Sequence, residues 1–196
     1  MSSTTISSLT TINAQKSNPR HISSPRCFQG AATIAPAKTA ILDLELTSLN
    51  LQELCLDVIE EIEERFKSSI SISFNFKGNI SNMCLNKRLI LPILINLLDN
   101  AVKYSQGTKG KVDLAVIVNA NVANFIIQDQ GIGIPVADQA HVFDSFYRGT
   151  NTDKIQGSGI GLTVVKRCVD LYAGKISFQS ILGQGSKFTV SIPLAV

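Results

Sequence analysis

The sequence predicts an α/β fold, and three observations carry that expectation. Apolar residues recur at the helical period from Leu51 to Phe66 and from Lys87 to Ser105. Apolar and polar residues alternate from Ile70 to Phe76 and through the runs 112–118 and 122–128, the two-residue period of half-buried strands. A glycine cluster at 157–161 runs directly into a third helical stripe. The 196 residues suit one domain plus a tail. With 44% hydrophobic and 17% charged residues, much apolar surface must be buried in a core or against a partner.

Residues 1–42 are rich in Ser and Thr, punctuated by Pro19, Pro25 and Pro36, and free of Asp and Glu, so a disordered tail is expected there. The same composition is that of an organellar transit peptide, which would place the mature chain in a plastid; otherwise the expected compartment is the cytoplasm. Net charge is +3, yet Lys16, Arg20, Arg26 and Lys38 precede the first acidic residue, Asp43, and leave the remainder slightly acidic. A basic tail of this kind gives no case for nucleic-acid binding. Cys27, Cys55, Cys84 and Cys168 are too dispersed for a zinc or redox pattern, and reduced thiols are expected. The most apolar stretch, 89–98, is interrupted by Pro92 and Asn96 and is too short to cross a membrane.

A domain is expected over residues 43–196. Its first helix follows Asn50, with Leu51, Leu54, Val58, Ile59, Ile62 and Phe66 on the apolar face and a glutamate-rich face in water, to which no chemistry falls. A strand follows, in which Ile70, Ile72, Phe74 and Phe76 share one side and Gly78 ends the run. The central helix spans Lys87 to Ser105. On it Asn96, Asn100, Lys103 and Tyr104 share a stripe, placing two amides, an ammonium and a phenol together. Amide oxygens suit Mg²⁺ and a lysine suits phosphate; the alternative is that these residues only wet an exposed face. Pro92 either marks the true start of this helix or bends it.

A hairpin turning at 119–121 ends in Asp129-Gln130-Gly131-Ile132-Gly133-Ile134-Pro135. A carboxylate at a strand end accepts a hydrogen bond from an exocyclic amine such as that of adenine. Glycines here permit close backbone approach of a ligand. The second cluster, Gly157-Ser158-Gly159-Ile160-Gly161-Leu162, offers backbone amides to phosphate at a helix N-terminus. A dinucleotide fingerprint is excluded, because a polar loop rather than a strand precedes these glycines and no suitable acidic residue follows.

The blocks 96–104, 129–135, 142–149 and 157–162 resemble, in order, spacing and content, the N, G1, F and G2 boxes of the histidine-kinase catalytic domain, in the GHKL superfamily, as found in cyanobacterial-type two-component kinases. The likeness runs from about Leu44 to Pro193. It implies a two-layer sandwich of the Bergerat type, with a mixed sheet of about five strands covered on one face by three helices. It also implies that ATP and Mg²⁺ bind, and that phosphate passes to a protein histidine. Residue by residue, it implies that Asn100 ligates Mg²⁺, Asn96 supports that site, Lys103 contacts phosphate and Tyr104 packs on adenine. Asp129 would bind the adenine amine beside Gly131 and Gly133. Gly157, Gly159 and Gly161 would hinge a lid whose amides, with Ser158, Ile160 and Leu162, enclose the nucleotide. Arg148 would meet the γ-phosphate, with Lys154 the weaker candidate.

ATPases of that superfamily carry a glutamate base four residues before the metal-binding asparagine. Here the position is Asn96, which cannot act as a general base, so little hydrolysis is expected. His21 lacks the sequence context of a phosphoacceptor and His141 is read as a surface residue, so the acceptor is expected on a separate dimerisation domain and, through it, a response regulator. The chain alone is expected to be a monomer. Asn86, Pro92 and Tyr172-Ala173-Gly174 depart slightly from the family pattern. A serine kinase of the anti-sigma-factor type, a regulatory nucleotide-binding module and a fragment of a longer kinase are the competing readings.

Overall fold

The computed structural model describes residues 47–67, 70–78, 84–107, 111–119, 121–153 and 155–194. The expected tail at 1–42, the boundary at 43, the tip of the hairpin at position 120 and Lys154 lie outside the described residues. The elements are β1 (Thr47–Ser48), α1 (Leu51–Phe66), β2 (Ile72–Lys77), β3 (Cys84–Leu85), α2 (Lys87–Ser105), β4 (Val112–Asn119), β5 (Val122–Asp129), a short 3-10 helix (Val136–His141), α3 (Gly161–Leu171), β6 (Lys175–Ile181) and β7 (Gly185–Pro193).

Five strands form a mixed sheet in the order β2-β4-β5-β7-β6, with β2 parallel to β4 and the other pairs antiparallel. Val112, Leu114 and Val116 of β4, Ala123, Phe125 and Ile127 of β5 and Phe188, Val190 and Ile192 of β7 are buried on one face. Cross-strand register stacks Val116, Phe125 and Val190 in one row, and the three α-helices pack on these rows. The opposite face carries Asp113, Gln128, Lys187 and Gln179, with Asp113 paired to Lys111 at 2.8 Å. The two-layer arrangement agrees with the sequence expectation. The additional two-stranded ribbon β1–β3 does not appear in it, because two residues are too few to show a period.

α1 begins at Asn50, whose side chain accepts from the Glu53 amide at 3.2 Å, a cap worth about 1 kcal/mol. α2 begins at Asn86, whose side chain accepts from the Arg88 amide at 2.9 Å, so the asparagine does the capping work of an aspartate. Pro92 lies inside α2 and does not end it. A proline there costs about 3 kcal/mol. Leu89, Ile90, Ile93, Leu94, Leu97 and Leu98 are all buried, each contributing about 1.5–3 kcal/mol, so burial outweighs the defect. α3 opens at Gly161 rather than at Gly157, so the first part of the glycine cluster is loop. Tyr172 follows α3 as its C-cap residue.

Candidate nucleotide site

α2 forms the floor of two adjoining cavities. The smaller has a cavity volume of about 90 Å³ and is walled by Leu97, Ala101, Ile132, Ile134, Leu162 and Phe188 with Asp129 among them. The larger and more open one has a cavity volume of about 820 Å³ and is lined by Asn96, Asp99, Lys103, Gly157, Ser158 and Gly161. Asn100, Tyr104 and Leu162 line both. The helical stripe 96–104 therefore lines these two cavities.

Asp129 ends β5 and is buried. Its Oδ1 accepts from the Gly131 amide at 2.8 Å and the Ser186 amide at 3.2 Å. Burial raises its carboxyl pKa above the usual value, and the two amides oppose that rise. Gly131 lines neither cavity. Its α-carbon abuts the Tyr104 carbonyl so closely that a β-carbon would collide, and the next amide, Ile132, donates to that carbonyl at 3.1 Å. Gly133 has φ +66° and abuts the Ile181 carbonyl, a position closed to any side chain.

In the larger cavity, Asn96 donates from Nδ2 to the Pro92 carbonyl at 2.7 Å. A β-carbon built on Gly161 would lie 2.9 Å from Asn96 Oδ1, so that oxygen meets the start of α3. A β-carbon on Gly157 would lie 2.6 Å from Lys103 Nζ: the ammonium rests against the lid backbone and 5.1 Å from the Tyr104 ring centroid. Burial lowers the Lys103 pKa, Asp99 counteracts this and Arg148 adds to it. Tyr104 is raised, chiefly by burial.

Arg148 lines the smaller cavity only. Its Nη2 donates to the carbonyls of Thr152 and Ile155 at 2.8 and 2.5 Å, which ties Arg148 to the loop that follows it. Ile160 lines neither cavity and is partly exposed. Along the two cavities the structure thus brings together Asn96, Asn100, Lys103, Tyr104, Asp129, Gly133, Arg148, Gly157, Ser158, Gly159, Gly161 and Leu162, whereas Gly131 and Ile160 line neither.

The sequence reading missed Asp138, which lies buried in the 3-10 helix. It accepts from the Tyr147 hydroxyl at 2.8 Å, the Thr150 amide at 2.8 Å and the Thr150 hydroxyl at 3.0 Å. The Thr150 amide, first, and the Tyr147 hydroxyl hold its carboxyl below the usual value. Asn151 adds a bond to the Gly133 carbonyl at 2.9 Å, so residues 147–151 are latched over the smaller cavity. Partners 9 and 12 positions away in a loop leave no periodic signal in the sequence. His141 is exposed and bonded to Asp144 at 2.8 Å.

The donors fit a metal carried by a nucleotide. Among the described residues no three His, Cys, Asp or Glu side chains cluster to hold an ion. Amide oxygens such as those of Asn96 and Asn100 would supplement phosphate oxygens and water, the set that Mg²⁺ prefers.

Residues 86–196 match the family model for histidine kinase-, DNA gyrase B- and HSP90-like ATPases, more than half of the chain. The chain belongs to this family. Among its relatives is the circadian input-output histidine kinase CikA of Synechococcus elongatus, 32% identical over 155 residues that cover 76% of this chain and 20% of CikA. The adaptive-response sensory kinase SasA of Gloeothece citriformis is 29% identical, with 79% of this chain and 40% of SasA covered. The chain thus spans less than half the length of these relatives. Among solved structures, the mycobacterial sensor histidine kinase MprB superposes with a TM-score of 0.62 at 25% identity, covering 74% of this chain and 97% of that one. Full-length ShkA, solved in complex with AMPPNP, gives 0.69 at 26% identity, covering 80% and 33%. The fold is that of histidine-kinase catalytic domains.

Proposed function

We propose that this domain binds MgATP and transfers its γ-phosphoryl group to a histidine on a separate dimerisation domain, which in turn serves a response regulator. One observation carries the reading: an apolar cavity with a buried carboxylate opens, across Asn100 and Tyr104, into a polar cavity lined by amides, an ammonium and glycine backbone. That sequence of surfaces matches adenine, then sugar, then triphosphate. Asp129 Oδ2 would accept from the adenine amine, Asn100 would ligate Mg²⁺, and Lys103 with the amides at 157–161 would hold phosphate. Bound Mg²⁺ would neutralise charge on the phosphates. In the transfer, the acceptor nitrogen forms a bond to the γ-phosphorus as the bond to the β–γ bridging oxygen breaks, and its electron pair stays on ADP.

Asn96 supports transfer over hydrolysis. It offers no carboxylate to activate water, and its Nδ2 is engaged by the Pro92 carbonyl. No helix among the described residues is long and apolar enough to cross a membrane, and a cytoplasmic site of action is part of the proposal.

The test mixes the chain with a purified histidine-bearing dimerisation domain and radiolabelled ATP. Acid-labile label on that domain, none on the chain alone, and loss of label with Asn100→Ala are expected. Brisk ATP hydrolysis by the unmodified chain, abolished by Asn100→Ala, would overturn the reading in favour of an ATPase.

A further inference from the structure

Only one carboxylate and one cationic side chain line the larger cavity among the described residues: Asp99 and Lys103. A triphosphate entering there meets no net positive side-chain charge from the wall itself. Arg148, the other nearby cation, is engaged by lid carbonyls. A carboxylate within a few ångströms of phosphate oxygens opposes binding, and the partly buried setting weakens the screening that water would supply.

The structure supplies a counter-charge from a different element. Arg65, on the last turn of α1, donates from Nη1 to Asp99 Oδ1 at 3.0 Å, and through Nη2 it also bonds Glu61 on its own helix. Phe66, the next residue, reaches the cavity wall. The Arg65–Asp99 pair joins residues 34 positions apart, and Asp99 is the less exposed member, at 29% against 45%. Asp99 also stands four residues before Lys103, the orientation in which an acid and a base attract along a helix, and it helps keep that lysine charged.

We propose that Arg65 is a positioning residue of the nucleotide site, which offsets the charge of Asp99, the one of its two carboxylate partners that lines the cavity, and fixes that carboxylate so that the cavity accepts a triphosphate. This rests on the MgATP reading above and extends it to α1, whose polar face carries no chemistry in the sequence analysis. The interaction is electrostatic, so its effect falls on the phosphates and not on the base, and it weakens as salt rises.

The experiment measures binding of MgATP and of adenosine to the chain and to Arg65→Ala, Asp99→Asn and the double variant, at low and high salt. Arg65→Ala should bind MgATP about 3- to 10-fold more weakly at low salt, with adenosine affinity unchanged. Asp99→Asn should bind MgATP at least as tightly as the parent, and the double variant should recover the affinity that Arg65→Ala lost. Equal loss for adenosine, or a double variant as weak as Arg65→Ala, would show that Arg65 serves the fold alone and would overturn the proposal. Unchanged MgATP affinity in Arg65→Ala would also overturn it. Arg65→Lys, which keeps the charge, provides the second variant should alanine unfold the chain; loss of MgATP affinity there without loss of adenosine affinity, restored by Asp99→Asn, would support the proposal, and parent-like binding of both ligands together with tighter MgATP binding in Asp99→Asn would do so as well. Weakening of both ligands alike by lysine would count against it. Failure of the unmodified chain to bind MgATP would instead sink the underlying nucleotide reading.

Discussion

The hydroxyl of Tyr172 accepts from the Asn86 amide and donates to the Asn86 carbonyl, both at 2.8 Å. One phenol thereby ties the end of α3 to the cap of α2, 86 residues earlier. Burial pushes that phenol up to about 12, so the tie keeps its proton throughout the neutral range. Tyr172→Phe removes both bonds and should cost about 1–3 kcal/mol, lowering Tm by several degrees while leaving MgATP affinity close to the parent. Thermal melts with and without nucleotide measure both.

Asp129→Asn should separate stability from recognition. Asn keeps an Oδ1 acceptor for the Gly131 and Ser186 amides but presents a donor to the adenine amine. ATP affinity should fall by about tenfold or more. Because folding raises the Asp129 pKa, the favourable contribution of its protonated form is complete below the unfolded value of 3.8 and is lost as pH rises through the folded value. At pH 7 the nucleotide-free variant should therefore melt above the parent, with the difference shrinking toward pH 4. A variant that melts lower at pH 7 would contradict this.

Asp138 has the opposite sign. Its pKa is depressed on folding, so its contribution is present above the unfolded value of 3.8 and disappears as pH falls through the folded value. Asp138→Asn should loosen residues 147–151, raising protease cleavage there about several-fold at pH 7. Parent and variant should converge in acid. Cleavage mapped by mass spectrometry reports the site directly.

Two glycine substitutions should differ in kind. Gly133→Ala combines φ +66° with a clash against the Ile181 carbonyl and should destabilise the fold by about 2–5 kcal/mol. Gly157→Ala meets only the flexible end of Lys103, so Tm should stay within about 1–2 °C of the parent. The displaced ammonium should nonetheless weaken MgATP binding about 3- to 10-fold and leave adenosine binding intact. Calorimetric titration of both ligands distinguishes the two effects.

The central helix, the 112–129 hairpin and the pocket-lining stripe 96–104 were legible because period and local spacing encode them. Asp138, Arg65 and the bracing role of Arg148 were not, since each depends on a partner brought close only by the loop path or by helix packing. Pro92 left two readings open, and local rules could not choose between them. The choice fell to apolar burial on both sides of it, which is a property of the assembled core.

The Ile132–Tyr104 hydrogen bond gives the domain a built-in ruler. The loop beside Asp129 is fastened to the end of the same helix that carries Asn100, one turn away, so the gap between the carboxylate proposed to read the base and the amide proposed to hold the metal belongs to the protein. A nucleotide must match that span on arrival. Analogues with a stretched or shortened link between base and phosphates can then satisfy one end only, and selectivity against them follows from length, independently of what either end recognises.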